Sequence, residues 1–243
     1  MAGEIHPCSA PDLEFADKIS CYCERAGNAE FWAEPLNAVS NISFFIAAYF
    51  AWRALQKSGI REGRWPIVFL IVATVAVGTG SFLFHTLATV WAMFADVIPI
   101  GIIIFTFFIL ALRWFLHWPF AGALAGGLVV VVAMFSLPPW FNGSMLYFPP
   151  ILAVTLIGVA LLIRGSPIGL TVFTGALVFY VSIFFRTIDR LPEVCGHFTA
   201  GTHLLWHLLN GLGIFILIIS VIKFREFKES GDAPAELSGA PES

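Results

Sequence analysis

The chain has 243 residues, of which 58% are hydrophobic and only 12% are charged. A typical soluble domain has about 25% charged residues, and disorder requires low hydrophobicity, so the composition excludes both an ordinary soluble domain and a disordered chain. The formal net charge of −3 supplies no basic surface, which argues against nucleic acid as a partner and leaves the membrane as the expected environment.

Long apolar runs define the predicted architecture. A helix that spans a membrane needs about 20 mostly apolar residues, whereas the strands of a membrane β-barrel have about 10 residues of alternating polarity. The runs in this chain are continuously apolar and predict seven helical spans, at 36–54, 66–87, 91–112, 119–137, 146–163, 168–186 and 201–222. We therefore expect an all-α membrane protein with an extramembrane segment at 1–35, a seven-transmembrane helix bundle at 36–224 and a disordered cytoplasmic tail at 225–243.

The basic residues between the predicted spans indicate the orientation. Of the 13 lysines and arginines, four fall on one side of the membrane and the others fall on the opposite side; the four are Lys18, Arg25, Arg186 and Arg190. Because cytoplasmic loops carry the excess of basic residues, we expect the N-terminus outside and the C-terminus in the cytoplasm. The polar start of the chain lacks the early apolar stretch of a cleavable signal peptide.

Few ionisable residues fall within the predicted spans. Asp96 is the acidic residue there, and it is joined by His85, His203 and His207. An ionisable group inside a membrane costs about 2.5–3.5 kcal/mol, which makes each of these residues a candidate for function. Each also has a structural interpretation on its own. Asp96 is close enough to a helix end to reach water, and a His pair four residues apart serves packing more often than metal binding.

The depth of these residues in the membrane favours a shared site. At 1.5 Å per residue, His85, Asp96, His203 and His207 all lie within roughly 10 Å of the outer boundary. Ser81 falls on the same helix face as His85, one turn deeper. Three neutral imidazoles with an open position are the ligands of a catalytic zinc ion, a nearby carboxylate can take a proton from water, and a hydroxyl can stabilise an oxyanion. The sequence therefore predicts a zinc-dependent active site near the outer side.

The spacing of these five residues resembles that of the alkaline ceramidase family, which belongs to the CREST superfamily of seven-helix membrane hydrolases. The pattern is S-x3-H in the second span, an Asp eleven residues after that His, and H-x3-H at the start of the seventh span. The segment 30–41 also looks like the family's entry into its first span. The resemblance implies a zinc ion held by His85, His203 and His207, with Asp96 as base and later acid and Ser81 as stabiliser of the oxyanion. The implied reaction is hydrolysis of the amide bond of ceramide, or of a related N-acyl lipid, to a sphingoid base and a fatty acid.

The family also has a calcium site before its first span, and this chain matches it only in part. Cys21 and Ala26 stand where the family has an Asp and an Asn. Calcium takes six to eight oxygen ligands, whereas the corresponding residues offer three or four, from Glu24, Glu34, Asn28 and the carbonyl of Tyr22. A solvated acidic stretch without a metal is the alternative interpretation.

The cysteines all fall on the predicted outer side, where disulfides persist. The resemblance to the ceramidases implies a disulfide between Cys23 and Cys195, which would tie the N-terminal segment to the loop before the seventh span. Zinc binding by Cys21 and Cys23 is the rival interpretation, but one intervening residue is fewer than the usual two to four.

Two other classes of seven-span protein remain for comparison. A retinal photoreceptor needs a lysine in the middle of its last span, and Lys223 lies at the cytoplasmic end of that span instead. A non-enzymatic lipid or hormone receptor of the progestin and adiponectin receptor type shares the Ser, Asp and three His, so the motif alone leaves this alternative open. The sequence indicates neither the acyl-chain preference nor the oligomeric state.

Overall fold

The computed structural model describes residues 5–8, 10, 12–138, 140–141 and 143–230. Two short strands precede the helices: β1 (Ile5–Pro7) and β2 (Lys18–Ser20), which pair in parallel. The α-helices are α1 (Pro35–Ser40), α2 (Ile42–Lys57), α3 (Arg64–Leu87), α4 (Val90–Leu110), α5 (Phe120–Ser136), α6 (Phe148–Ile163), α7 (Gly169–Ile188), α8 (Pro192–His197) and α9 (His203–Ser230). A π-helical turn at Ala111–Phe115 extends α4, and a 3-10 turn at Ser144–Tyr147 leads into α6.

The helices support an integral membrane protein. Among the described residues, six helical stretches are long and apolar enough to cross a membrane: Pro35–Lys57, Arg64–Leu87, Val90–Phe115, Ser144–Ile163, Gly169–Ile188 and His203–Glu229. The predicted fourth span corresponds to α5, an apolar helix of 17 residues that falls short of this length. The fold is therefore that of a helical membrane protein, while the seven-span count and the orientation stay predictions.

The last helix is longer than the sequence indicates. Helix α9 runs to Ser230, past the predicted boundary at 224. The charged residues after Ile222 continue this helix, and the boundary between bundle and tail at 224 stays a prediction. The rest of the predicted tail, 231–243, lies outside the described residues.

The long helices close into a ring. Each packs on the next in chain order, from α2 to α7, and α9 then packs on both α7 and α2. The interior is apolar, and many large apolar side chains also face outward, among them Ile98, Val129 and Leu170. Exposed apolar residues around a whole bundle are what a lipid environment requires.

Two glycines bring helices together beside the histidines. Gly80 of α3 lies against the backbone carbonyl of Ala95 in α4, so that any side chain there would collide with it. Gly211 of α9 lies against Ser43 of α2, where an added Cβ would be 2.9 Å from the backbone and side chain of that serine. Both contacts are at the end of the bundle where α3 ends and α4 and α9 begin, which we call the site end.

The N-terminal segment is fastened across the site end. The Ile19 N–H donates to the Ala88 carbonyl at 2.7 Å, and the Val90 N–H donates to the Asp17 carbonyl at 3.0 Å. Ala88 has the left-handed φ of 53° that ends α3 and turns the chain into α4. The segment therefore covers the tight α3–α4 turn and closes one end of the ring.

Candidate metal centre

Three histidines meet at the site end. His85 lies in the last turn of α3, and His203 and His207 lie in the first two turns of α9. One nitrogen from each ring can be chosen so that all three lie within 4.8 Å of one another. All three side chains are buried. The spacing of four residues in α9 and the packing of α3 against α9 thus produce the arrangement that a shared ion requires.

Neighbouring polar groups fix two of the rings. His85 Nδ1 is 2.6 Å from Glu34 Oε2, and His207 Nδ1 is 2.7 Å from Ser40 Oγ. Both contacts leave Nε2 of the same ring for the interior of the cluster. Burial would raise the pKa of Glu34, but the nearby His85 and Arg25 hold that pKa below its ordinary value, so Glu34 is a carboxylate acceptor.

His203 is positioned through its helix and a stacked ring. The Asp189 carboxylate accepts hydrogen bonds from the backbone N–H of Thr202 at 2.5 Å and of His203 at 2.8 Å, and so caps the start of α9. Tyr22 stacks on the imidazole of His203 with ring centroids 3.7 Å apart. The ring is therefore held from both its backbone and its face.

The donor set fits zinc. His85 Nε2 and His203 Nδ1 are buried atoms without a hydrogen-bond partner among the described residues. An unpaired buried polar atom is costly, so these two nitrogens fit the role of metal ligands. Three imidazole nitrogens, two of them held by outer partners on the opposite ring atom, are the usual protein contribution to a catalytic zinc site.

Ser81 and Asp96 lie beside the three histidines. Ser81 Oγ is 3.4 Å from His207 Nε2, and it interacts with the carboxylate of Asp96. Asp96 can approach this closely because Gly80 allows α3 and α4 to touch at Ala95. The structure thus brings together all five residues of the predicted site.

An apolar cavity of about 90 Å³ opens from this group into the bundle. Ser81, Asp96 and His207 line it at the site end, and it continues along α9 to Ile218. Its other walls are mostly apolar side chains from α2, α3, α4, α6, α7 and α9, with Tyr147 and Asn210 among them. The polar groups therefore stand at one end of a long apolar space, the arrangement that suits an amphiphilic ligand.

A family model described as Ceramidase matches residues 22–238. The chain belongs to the ceramidase family. This membership confirms the resemblance drawn from the motif, and the match contains Ser81, Asp96 and the three histidines. It supports ceramide hydrolysis as the general activity and a lipid as the substrate. No curated protein matches the sequence significantly.

The structure does not support the predicted calcium site of this ceramidase. The Glu24 carboxylate accepts hydrogen bonds from the backbone N–H of Leu36 at 2.7 Å and of Asn37 at 2.8 Å, and so serves the start of α1. The Asn28 side chain accepts the Glu30 N–H at 2.9 Å. The ring of Tyr22 is buried against His203, and Glu34 contacts His85 and the guanidinium of Arg25. Each of these residues therefore has protein partners, and a calcium ion at this place stays an unsupported prediction.

The cysteines form disulfides. The structure pairs Cys23 with Cys195, as the resemblance implies, and also pairs Cys8 with Cys21. Neither Cys21 nor Cys23 is then available to zinc. The disulfide between Cys23 and Cys195 joins the N-terminal segment to α8, next to Asp189, which caps the start of α9.

Sequence reasoning missed several residues that hold the site in this ceramidase. It assigned Glu34 to calcium, and gave no role at the metal centre to Ser40, Asp189 or Arg25. Glu34 and His85 are 51 residues apart, and no local pattern relates them. The available signal was position alone, since Glu34 and Ser40 flank the start of the first span and therefore lie at the same membrane depth as the histidines.

Proposed function

We propose that this ceramidase is a zinc-dependent intramembrane amidohydrolase that cleaves ceramide, or a related N-acyl lipid, to a sphingoid base and a fatty acid. The observation that carries the proposal is the group of three buried histidines with Ser81 and Asp96 at the polar end of an apolar cavity. His85, His203 and His207 would hold the zinc. When bound there, zinc supplies a Lewis acid and lowers the pKa of a coordinated water.

Asp96 acts as the proton carrier in this proposal. Its carboxylate takes a proton as a water oxygen attacks the amide carbonyl carbon. It returns that proton to the amide nitrogen as the C–N bond breaks, so the fatty acid and the free amine leave in turn. Its place in the cavity wall, next to Ser81, puts it within reach of a bound substrate.

Ser81 stabilises the charge that develops on the carbonyl oxygen. Its hydroxyl lies between Asp96 and His207, on the wall of the cavity. A preorganised donor in a buried site contributes more than it would in water, because no solvent must reorganise during the reaction. Ser81 therefore donates to the oxyanion while Asp96 holds the transferred proton.

The cavity sets the orientation of the lipid. Apolar walls from Ile100 to Ile218 accept a hydrocarbon chain, while the amide must lie where the polar side chains are. The site end also carries the disulfides, which persist outside the cytoplasm. This supports an active site near the outer side of a multi-pass membrane protein, in agreement with the proposed seven-span topology.

The direct test combines metal analysis with product analysis. Purified protein should contain about one zinc per chain by elemental analysis, lost in His203→Ala. Incubation with a panel of N-acyl lipids should release fatty acid and amine, detected by mass spectrometry. Absence of stoichiometric metal would contradict the mechanism. Zinc without product from any lipid would favour the non-enzymatic receptor, which the family match to ceramidases argues against.

A further inference from the structure

Arg25 is a charged side chain buried at the site end. Its side chain has no exposed surface, and among the described residues it is the largest fully buried one. Burying a charge is costly unless it is paired and hydrogen-bonded. The surroundings of Arg25 meet that requirement with one buried carboxylate and three backbone carbonyls.

Four oxygen atoms surround the guanidinium. Nε donates to Glu34 Oε1 at 2.5 Å, and Nη2 donates to the His85 carbonyl at 2.8 Å. Nη1 donates to the carbonyls of Asn28 and Glu30, each at 3.0 Å. One carboxylate and three carbonyls are hard oxygen ligands of the kind that bind a cation.

We propose that the Arg25 guanidinium is a built-in cation that takes the place of calcium in the N-terminal segment and positions the metal ligand His85. A calcium ion among these oxygens would displace the guanidinium or share its site, and two cations at such separation repel strongly where water is excluded. The segment of this ceramidase is therefore organised without calcium.

The positioning role follows from two contacts with His85. Arg25 holds the backbone carbonyl of His85 through Nη2, and it holds Glu34, whose second oxygen accepts from His85 Nδ1. The ring and the backbone of one metal ligand thus depend on one guanidinium. Outer partners of this kind change metal affinity by about 10–100-fold when removed. This part rests on the proposed zinc function, whereas the calcium part does not.

The first experiment uses the unmodified protein. Zinc-loaded, calcium-free protein is heated in detergent with CaCl2 raised to about 10 mM, well above the range of weak extracellular calcium sites. The melting temperature should stay the same as in MgCl2 of equal concentration. A saturable rise with CaCl2 and not with MgCl2 would show a calcium site and overturn the first half of the proposal.

The second experiment measures metal affinity in variants. Arg25→Ala should weaken zinc binding by about 10–100-fold, and it should change the visible spectrum of the cobalt-substituted protein, which reports ligand geometry. Arg53→Ala, an exposed arginine that donates to Tyr49, is the control with the same change of charge and should match the unmodified protein. Unchanged zinc affinity and an unchanged cobalt spectrum in folded Arg25→Ala would overturn the positioning role.

A paired variant keeps the test decisive if Arg25→Ala fails to fold. Arg25→Met with Glu34→Gln removes both buried charges, which avoids leaving one uncompensated. Because it breaks both contacts with His85, this double variant should bind zinc about 10–100-fold more weakly than the unmodified protein. Unchanged zinc affinity in the folded double variant would overturn the positioning role. A protein without zinc in any form would contradict the proposed function, while the calcium titration would still decide whether Arg25 replaces that ion.

Discussion

The two ends of the bundle each bury an arginine, and the arginines have different partners. At the site end, Arg25 donates to the buried carboxylate of Glu34, which itself contacts the proposed metal ligand His85. At the opposite end, Arg225 of α9 donates to the Glu62 carbonyl at 2.8 Å and to the Glu229 carboxylate at 3.3 Å, and lies over the ring of Trp114. The side chain of Glu229 is 30% exposed, so water can replace it.

This difference indicates that the contacts of Arg225 serve stability, whereas those of Arg25 also reach the proposed metal site. Arg225 connects the end of α9 to the α2–α3 connection, and among the described residues none of its partners contacts the three histidines of the site end. Arg25 is part of a continuous set of contacts that ends on His85. We therefore expect changes at the site end to alter metal binding or turnover, and changes at the opposite end to alter stability alone.

Asp96→Asn should give the largest loss of activity. The amide keeps the size of the side chain but cannot take a proton, and a positioned acid or base contributes about 10²–10⁴-fold to rate. Zinc content should be unchanged, since Asp96 is not among the three proposed ligands. Turnover near that of the unmodified protein, measured as fatty acid released, would place the base at another residue.

Gly80→Ala tests whether the close contact of α3 with α4 positions Ser81 next to Asp96. A methyl group would collide with the Ala95 carbonyl and push Ser81 away from Asp96. A displacement of about 1 Å can lower turnover by about 10²-fold. Gly101→Ala in α4, where an added Cβ has open space around it, is the matched control and should keep full turnover. Equal activity in both variants would contradict this role of Gly80.

Arg225→Ala should lower stability without touching the chemistry. Glu62 and Glu229 are exposed residues, so water can satisfy them and the loss of these hydrogen bonds costs about 0.5–1.5 kcal/mol. The free energy of unfolding, measured by denaturant in detergent, should fall by this amount, while zinc affinity and turnover per folded molecule stay constant. A drop in zinc affinity would show that the two ends are coupled. It would contradict the claim that Arg225 affects stability alone.

Ile218→Val should have the smallest effect. It removes one methylene from the far end of the cavity, which costs about 0.5–1.5 kcal/mol. Preference between neighbouring acyl-chain lengths should shift by about 10-fold or less. The comparison is with Val129→Ala on the exposed surface of α5, where no shift is expected. A large loss of zinc in Ile218→Val would contradict the separation of cavity from metal centre.

The sequence predicted the helical membrane fold from its long apolar runs. It also grouped Ser81, Asp96 and the three histidines, because ionisable residues are costly inside a membrane and are seldom found there without a function. Depth in the membrane follows from the number of residues along a helix, so the common depth of these residues could be calculated. Their hydrogen-bond partners could not be predicted in this way. Whether Glu34 faces calcium, water or His85 depends on the path of the chain before α1, and Arg25 was counted only as a topological charge. The longer α9 was also missed, since a helix that leaves the membrane carries no hydrophobic signal.

The disulfide between Cys23 and Cys195 joins residues 172 positions apart. Among the described residues, six of the seven long helices lie between these two cysteines, and α9 follows with the proposed zinc ligands His203 and His207. During synthesis, the N-terminal segment can close over the site only after nearly the whole chain has been made. The metal centre is thus one of the last parts of the protein to be assembled, and oxidation of this pair marks the point at which the site end is sealed.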